Sequence, residues 1–216
     1  LWEPVKEGSL EFSHHIQDSS IPYILAGPFG GNSSVQLPYE TFGYQVTQEL
    51  IMRRHTKIAC LLTEGRRIEA FLSGYRSCLF NNHLPFDEQL IFRELDDTLI
   101  YKVNTHQISG IVSSHYLKAL EFYQLMNALH YRIPEDFSLI SLKNDKLEAP
   151  AIPEISTYTV SNTEFGAYLC HKLIYHINKS DSGIMPFSQD FKLDNSATLG
   201  MPFDLNTPKI VVVGSI

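Results

Sequence analysis

Lys143, Asn144 and Asp145 follow directly on the apolar run Phe137–Leu142 in "FSLISLKND". Polar side chains at the C-terminal end of a buried strand are where an open α/β sheet holds a ligand. Other apolar runs end in the same manner. Gly27 and Pro28 follow "IPYILA", Thr63 and Glu64 follow "KIACLL", and His115 and Tyr116 follow "SGIVSS". Strand ends of this kind converge in a crevice, and together these residues favour reversible binding of a small polar molecule. Enzyme signatures are missing from the sequence: it has no GxSxG, GxxxxGK[ST] or HExxH. Ser114 and His115 are neighbours on a strand, point to opposite faces, and so do not form a nucleophile and base. His171 and His176 are five apart, off a common helix face, and no Cys/His cluster has zinc spacing. Asp96-Asp97 reads as a turn or helix cap. "GPFGG" (27–31) reads as a flexible connection, because no Lys-Ser/Thr helix start follows it. The chain is read as a non-enzyme that needs no metal and no cofactor.

The elements that must carry these residues alternate. Strands are expected at 21–26, 57–62, 88–95, 109–114, 137–142 and 154–160, with a further strand at "QDFKL" and a last apolar run at "KIVVVGSI". Helices are expected at about 40–54, with Phe42, Val46 and Leu50 on one face, and at 67–80, 116–131 and 162–178. Alternation of this kind predicts an α/β fold, a mainly parallel sheet covered by helices on both faces. The chain of 216 residues is 44% hydrophobic and 19% charged, which excludes a disordered segment. A net charge of −7 gives no nucleic-acid surface, and the basic runs Arg53-Arg54-His55 and Arg66-Arg67 read as solvated ends of elements. Three scattered cysteines predict a reducing compartment and free buried thiols. The opening "LWEPVKEGSLEF" is no signal peptide, no apolar run reaches the ~20 residues that span a bilayer, and Leu1 suggests a start inside a larger protein. A cytoplasmic location without membrane contact is expected.

The blocks then fall into a known order. "WEPVKEG", "IPYILAG", and Gly43, Leu50, His55 and Ile58 resemble successive motifs of the effector-binding domain of LacI/GalR-type transcription regulators, most closely the arabinose-repressor branch. Glu49 stands where that pattern has a first His, and Arg54 where it has a Gly. Leu72, Gly74 and Tyr75 fall on the family's Arg-x-x-Gly-Phe helix, "IPEDFSLISLKND" on its Val-Pro-x-Asp-Ile-Ser strand, and Pro153, Ile155 and Thr157 on its Pro-x-Leu-Thr-Thr strand. The resemblance covers residues 1 to about 200.

It implies a periplasmic-binding-protein-like domain of two lobes, the N-terminal lobe incomplete. Residues 1–56 and 161–180 would form that first lobe, 57–160 and 181–205 the C-terminal lobe, and 206–216 a tail strand filling the slot of the family's missing first strand. The departures concentrate in the pocket. Phe71 stands where the family has a sugar-binding Arg, His115-Tyr116 where it has Asn-Asp, Lys143 and Asn144 where it has two Asp, and Val160 where it has a polar residue. Replacing Arg by Phe and Asp by Lys removes a donor fork and inverts a charge. The resemblance therefore implies a changed small-molecule effector, a sugar or a sugar phosphate, held by Gly27, Pro28, Phe71, His115, Lys143, Asn144 and Val160. Lys143 and His115 would suit the anionic form. A degenerate pocket with a purely dimerising role, or a solute-binding receptor of the same fold, are the alternatives. The resemblance also implies a homodimer through Leu120, Gln124, Leu147, Pro150 and Ala151, and contact with operator DNA only through an N-terminal head that this chain lacks.

Overall fold

A parallel sheet covered on both faces requires strands that are apolar on both sides, and the central runs of this chain meet that requirement. The computed structural model describes residues 16, 21–27, 33–65, 67–145, 154–178, 187–189 and 191–202. Strands β1 (Leu25–Ala26) and β2 (Ser34–Val35) form a small parallel pair. Strands β3 (Ile58–Leu61), β4 (Ile91–Phe92), β5 (Gly110–Ser113), β6 (Ser138–Asn144) and β7 (Ser156–Val160) form an all-parallel sheet in the order β4-β3-β5-β6-β7. The helices are α1 (Tyr39–Met52), α2 (Ile68–Asn81), α3 (Asp97–Asn104), α4 (Tyr116–Ala128) and α5 (Asn162–Ile177). This is the α/β class that strand and helix alternation predicts.

Strand alternation sorts the core into two layers. On one face Cys60, Val112, Ile140, Leu142 and Val160 meet Phe42, Val46 and Leu50 of α1 and Phe71 and Tyr75 of α2. On the other, Ala59, Leu61, Ile111 and Leu139 meet Leu99 and Val103 of α3 and Phe122 and Met126 of α4. Helices α1 and α2 touch at Gly43 and Gly74. A Cβ at Gly74 would stand 1.8 Å from the Glu40 carbonyl oxygen, and one at Gly43 2.1 Å from that of Phe71.

Helix α1 therefore packs on the five-stranded sheet. Its apolar face is buried against β6 and α2, in the same core cluster as Val35 and Leu37. Residues 88–95 are not one strand. Asp87 accepts a hydrogen bond from the Gln89 N–H at 2.9 Å, which starts a 3-10 turn over Glu88–Leu90 and leaves two strand residues. Asp96 does cap a helix, accepting from the Leu99 N–H at 2.8 Å. Helix α3 itself has no counterpart among the expected elements. "QDFKL" contributes only the antiparallel bridge of Leu193 to Tyr158. The tail 206–216 and its strand lie outside the described residues.

The basic run after α1 turns inward. Arg53 pairs with Glu49, Arg54 adopts φ 70°, and His55 is fully buried. The left-handed backbone at Arg54 accounts for the Gly that the resembling pattern carries there. Cys60 and Cys78 are free and buried, with burial pushing the Cys78 thiol up to about 12 and the Cys60 thiol up as well. Cys170 is exposed rather than buried.

Candidate functional site

The strand order reverses at β3, since β4 follows it in sequence on one side and β5 lies on the other. Loops leaving the C-terminal ends of β3 and β5 therefore run to opposite faces of the sheet and open a crevice between them. The crevice is pinned at its base by the Thr63 N–H, which donates to Ser114 Oγ at 3.1 Å. A cavity of about 390 Å³ occupies it. Its apolar wall is Ile68, Phe71, Leu117, Leu142 and Val160. Its polar wall is Tyr39, Thr63, Glu64, Arg67, Ser114, His115, Tyr116, Lys143, Asn144 and Asn162.

Five of the seven expected ligand residues thus come together: Phe71, His115, Lys143, Asn144 and Val160. Gly27 does not line the cavity. It ends β1, its N–H donating to the Val35 carbonyl at 2.7 Å. Pro28 lies outside the described residues. The three polar residues that end β6 divide their work. The Lys143 ammonium is 3.3 Å from Asp194 Oδ2. Asn144 faces the cavity. Asp145 caps α5 and accepts from the Asn162 and Thr163 N–H groups at 3.1 and 3.2 Å and from Ser161 Oγ at 3.1 Å. Burial pushes the Asp145 carboxyl up, but those hydrogen bonds outweigh it and hold the group below its ordinary value.

The Lys143 contact follows from strand register. Lys143 pairs with Thr159 on β7, so both side chains share a face, and so does Thr157 two residues earlier. Asp194 Oδ2 accepts from Thr157 Oγ1 at 2.8 Å, from Thr159 Oγ1 and from Lys143, while the Asp194 N–H donates to the Thr157 carbonyl. This clasp fastens residues 193–199 to the edge of the sheet. Asp194→Ala is expected to cost about 2 kcal/mol, and hydrogen exchange at residues 193–199 checks it, since those amides are expected to exchange faster than the rest of the sheet.

Tyr39 and Arg67 were not among the expected ligand residues. Arg67 precedes α2 and stands one turn before Phe71, on the same helix face. Its Nη1 donates to the Tyr39 hydroxyl, and its guanidinium carbon lies 5.1 Å above the Tyr39 ring centre. The i, i+4 step from Phe71 was the available signal for Arg67. Tyr39, 28 residues away in sequence, carried none. Burial, and secondarily the charge of Arg67, hold His115 below the ordinary imidazole value.

On the expected dimer face, Gln124 is exposed, while Leu120 is partly buried against the α3/α4 core rather than free. Leu147, Pro150 and Ala151 lie outside the described residues. Among the described residues no helix is long and apolar enough to cross a membrane.

The family profile of the periplasmic binding protein-like domain matches residues 47–184. Catabolite control protein A of Staphylococcus xylosus is 25% identical over 183 residues, 80% of this chain and 56% of that protein. The HTH-type transcriptional repressor PurR of Vibrio atlanticus is 28% identical over 152 residues, 66% of this chain and 45% of that protein. The chain spans about half the length of the curated relatives it matches. Among solved structures, a sugar-binding LacI-family regulator from Escherichia coli complexed with phosphate superposes with TM-score 0.71 at 22% identity, over 89% of this chain and 73% of that one. A LacI-family regulator from Enterococcus faecium with bound ribose superposes with TM-score 0.67 at 16% identity, over 93% and 77%. These relatives are transcription regulators and carry the family rather than a branch within it. With its switch-point cavity and its profile match over more than half its length, the chain belongs to the periplasmic binding protein-like domain family, in the form carried by LacI-type regulators.

Proposed function

We propose that this chain is the small-molecule-sensing part of a LacI/GalR-type transcriptional regulator, a repressor of sugar use that works in the cytoplasm. The observation that carries the reading is the cavity of about 390 Å³ at the switch point of the sheet, a volume suited to a monosaccharide-sized effector. Two structural neighbours hold ribose and phosphate. The cavity walls come from five separate segments, Tyr39, Thr63–Phe71, Ser114–Leu117, Leu142–Asn144 and Val160–Asn162. A ligand touching all five would favour one arrangement of them over another, which is a population shift and not a covalent step. No catalytic role is assigned. The exposed side of α4 around Gln124 forms a two-fold dimer contact that passes the change to the DNA-binding heads of the regulator.

The test is thermal unfolding of the chain with pentoses, hexoses and their phosphates at millimolar concentration. A ligand present at 100 times its Kd adds about 2.7 kcal/mol, an easily read rise in melting temperature. Sedimentation of the same material over a range of concentrations checks the dimer, and a monomer throughout removes that part of the reading. A folded chain whose melting no effector class moves removes the sensing role.

A further inference from the structure

We infer that Asp194, which is not among the residues lining the cavity, sets the class of ligand the cavity takes: by matching Lys143 it reserves the site for an uncharged molecule with an apolar face. This rests on the sensing role proposed above and names its ligand class. Lys143 lines the cavity, and its ammonium is 3.3 Å from Asp194 Oδ2. The carboxylate is held in place. The hydroxyls of Thr157 and Thr159 donate to the same oxygen, and the Asp194 N–H donates to the Thr157 carbonyl. The two side chains are 25% and 30% exposed, so the pair is partly sheltered from the screening that weakens surface pairs.

A second positive feature at this end of the crevice is matched in the same way. Asn162, the first residue of α5, lines the cavity, and a helix N-terminus attracts anions. Asp145 already occupies it, accepting from the Asn162 and Thr163 N–H groups, while Ser161 Oγ accepts from the Glu164 N–H. The ammonium at the end of β6 and the N-terminus of α5 are thus each met by a carboxylate of the chain itself. Glu64 and Arg67, on the segment that follows β3, carry opposite signs. His115 is kept neutral, by burial first and by the charge of Arg67 second. A phosphate or carboxylate entering here would give up its water beside two fixed carboxylates. An uncharged ligand gives up far less. Phe71, Leu142 and Val160 are buried and offer it an apolar floor, and a neutral imidazole both donates to and accepts from hydroxyls.

The experiment is calorimetric titration of the full chain with ribose, ribose 5-phosphate and inorganic phosphate. The unmodified chain is expected to bind ribose more tightly than its phosphate ester. Asp194→Asn keeps an oxygen for the two threonines but uncovers Lys143. It is expected to raise the affinity for phosphate and for the ester at least about tenfold, a gain that mere loosening of the fold does not produce. Lys143→Met added to Asp194→Asn is expected to abolish the gain, which locates it on Lys143. Asp136→Asn removes an equal charge at the opposite end of β6, where Asp136 pairs with Arg132, and is expected to give no gain. Melting curves of each variant report whether it is folded. The inference falls if the ester binds the unmodified chain as tightly as ribose does, if a folded Asp194→Asn gains nothing, or if the gain survives the loss of Lys143. Silence of all three probes on every variant also overturns it. In each of these cases the melting screen with other effector classes decides the sensing role separately.

Discussion

Gly74→Ala is expected to destabilise the chain by about 3 kcal/mol, against the usual direction of a Gly-to-Ala change in a helix. Ala is the better helix former by about 1 kcal/mol, so an isolated α2 would gain. The helix-helix contact outweighs that gain. The new Cβ would lie 1.8 Å from the Glu40 carbonyl oxygen and 2.7 Å from the Tyr44 nitrogen. Both are backbone atoms of α1, so no side chain can swing aside, and the helices must part. Parting breaks the Gln48 contacts to Asn82 and Cys78 and the bond from Ser73 to Glu40. It also moves Tyr39 away from Arg67, one helix carrying each, so ligand binding is expected to weaken with stability. Gly166→Ala is the control. Nothing lies within 4 Å of its Cβ, and it is expected to raise stability by up to about 1 kcal/mol. Denaturant unfolding of the two variants checks the opposite signs. Equal and small effects would mean that α1 and α2 are not in the contact described.

Gly43 and Gly74 were legible in the sequence as positions of a pattern, but not their reason, which is a contact between segments about thirty residues apart. The same division runs through the fold. Runs such as Ile58–Leu61 and Ser138–Leu142 announce buried parallel strands because nearly every residue is apolar or small. The face carried by Phe71, Leu72, Tyr75, Cys78 and Leu79 announces a helix. What an apolar face packs against is not written in its period. Phe42, Val46 and Leu50 mark α1 as amphipathic without saying which sheet it covers. "DTLIYKVN" is only 8 residues long, too short for its period to stand out from its neighbours. In the site, strand ends located the crevice correctly, because the end of a strand is a local property. Charge pairing is not local. Lys143 reads as an unpaired cation until Asp194, about fifty residues on, folds back beside it. Arg67 reads as a solvated helix end until Tyr39 closes over it.

His55 shows the same dependence on distant partners, and it makes the stability of the chain depend on pH. The ring is fully buried, with Nε2 3.0 Å from the Gly200 carbonyl and Nδ1 3.1 Å from Ser109 Oγ. A carbonyl only accepts, so Nε2 carries the proton, and a neutral Nδ1 accepts from the Ser109 hydroxyl. Burial lowers the pKa, the Gly200 bond opposes this, and the Arg53 charge lowers it further, leaving it below the ordinary 6.5. The unfolded chain therefore takes up a proton first as pH falls. Stability is fully present above about 6.5 and is lost as pH drops toward the folded-state value. The second lowered imidazole, His115, acts in the same direction. His55→Ala is expected to cost about 3 kcal/mol at pH 8, from the emptied ring volume and the loss of the shorter of the two hydrogen bonds to the Gly200 carbonyl, which keeps that from Ser138 Oγ at 3.3 Å. Gly110 cannot be enlarged to fill the gap without also meeting Leu50 at 2.9 Å. The variant is expected to flatten the fall of melting temperature between pH 8 and 5.5, with His115→Asn removing a further part. Melting curves of parent and variant across that range check both effects. A parent whose stability does not fall toward acid, or a variant with the same slope, would show that the ring accepts a second proton in place, with Ser109 turning to receive it.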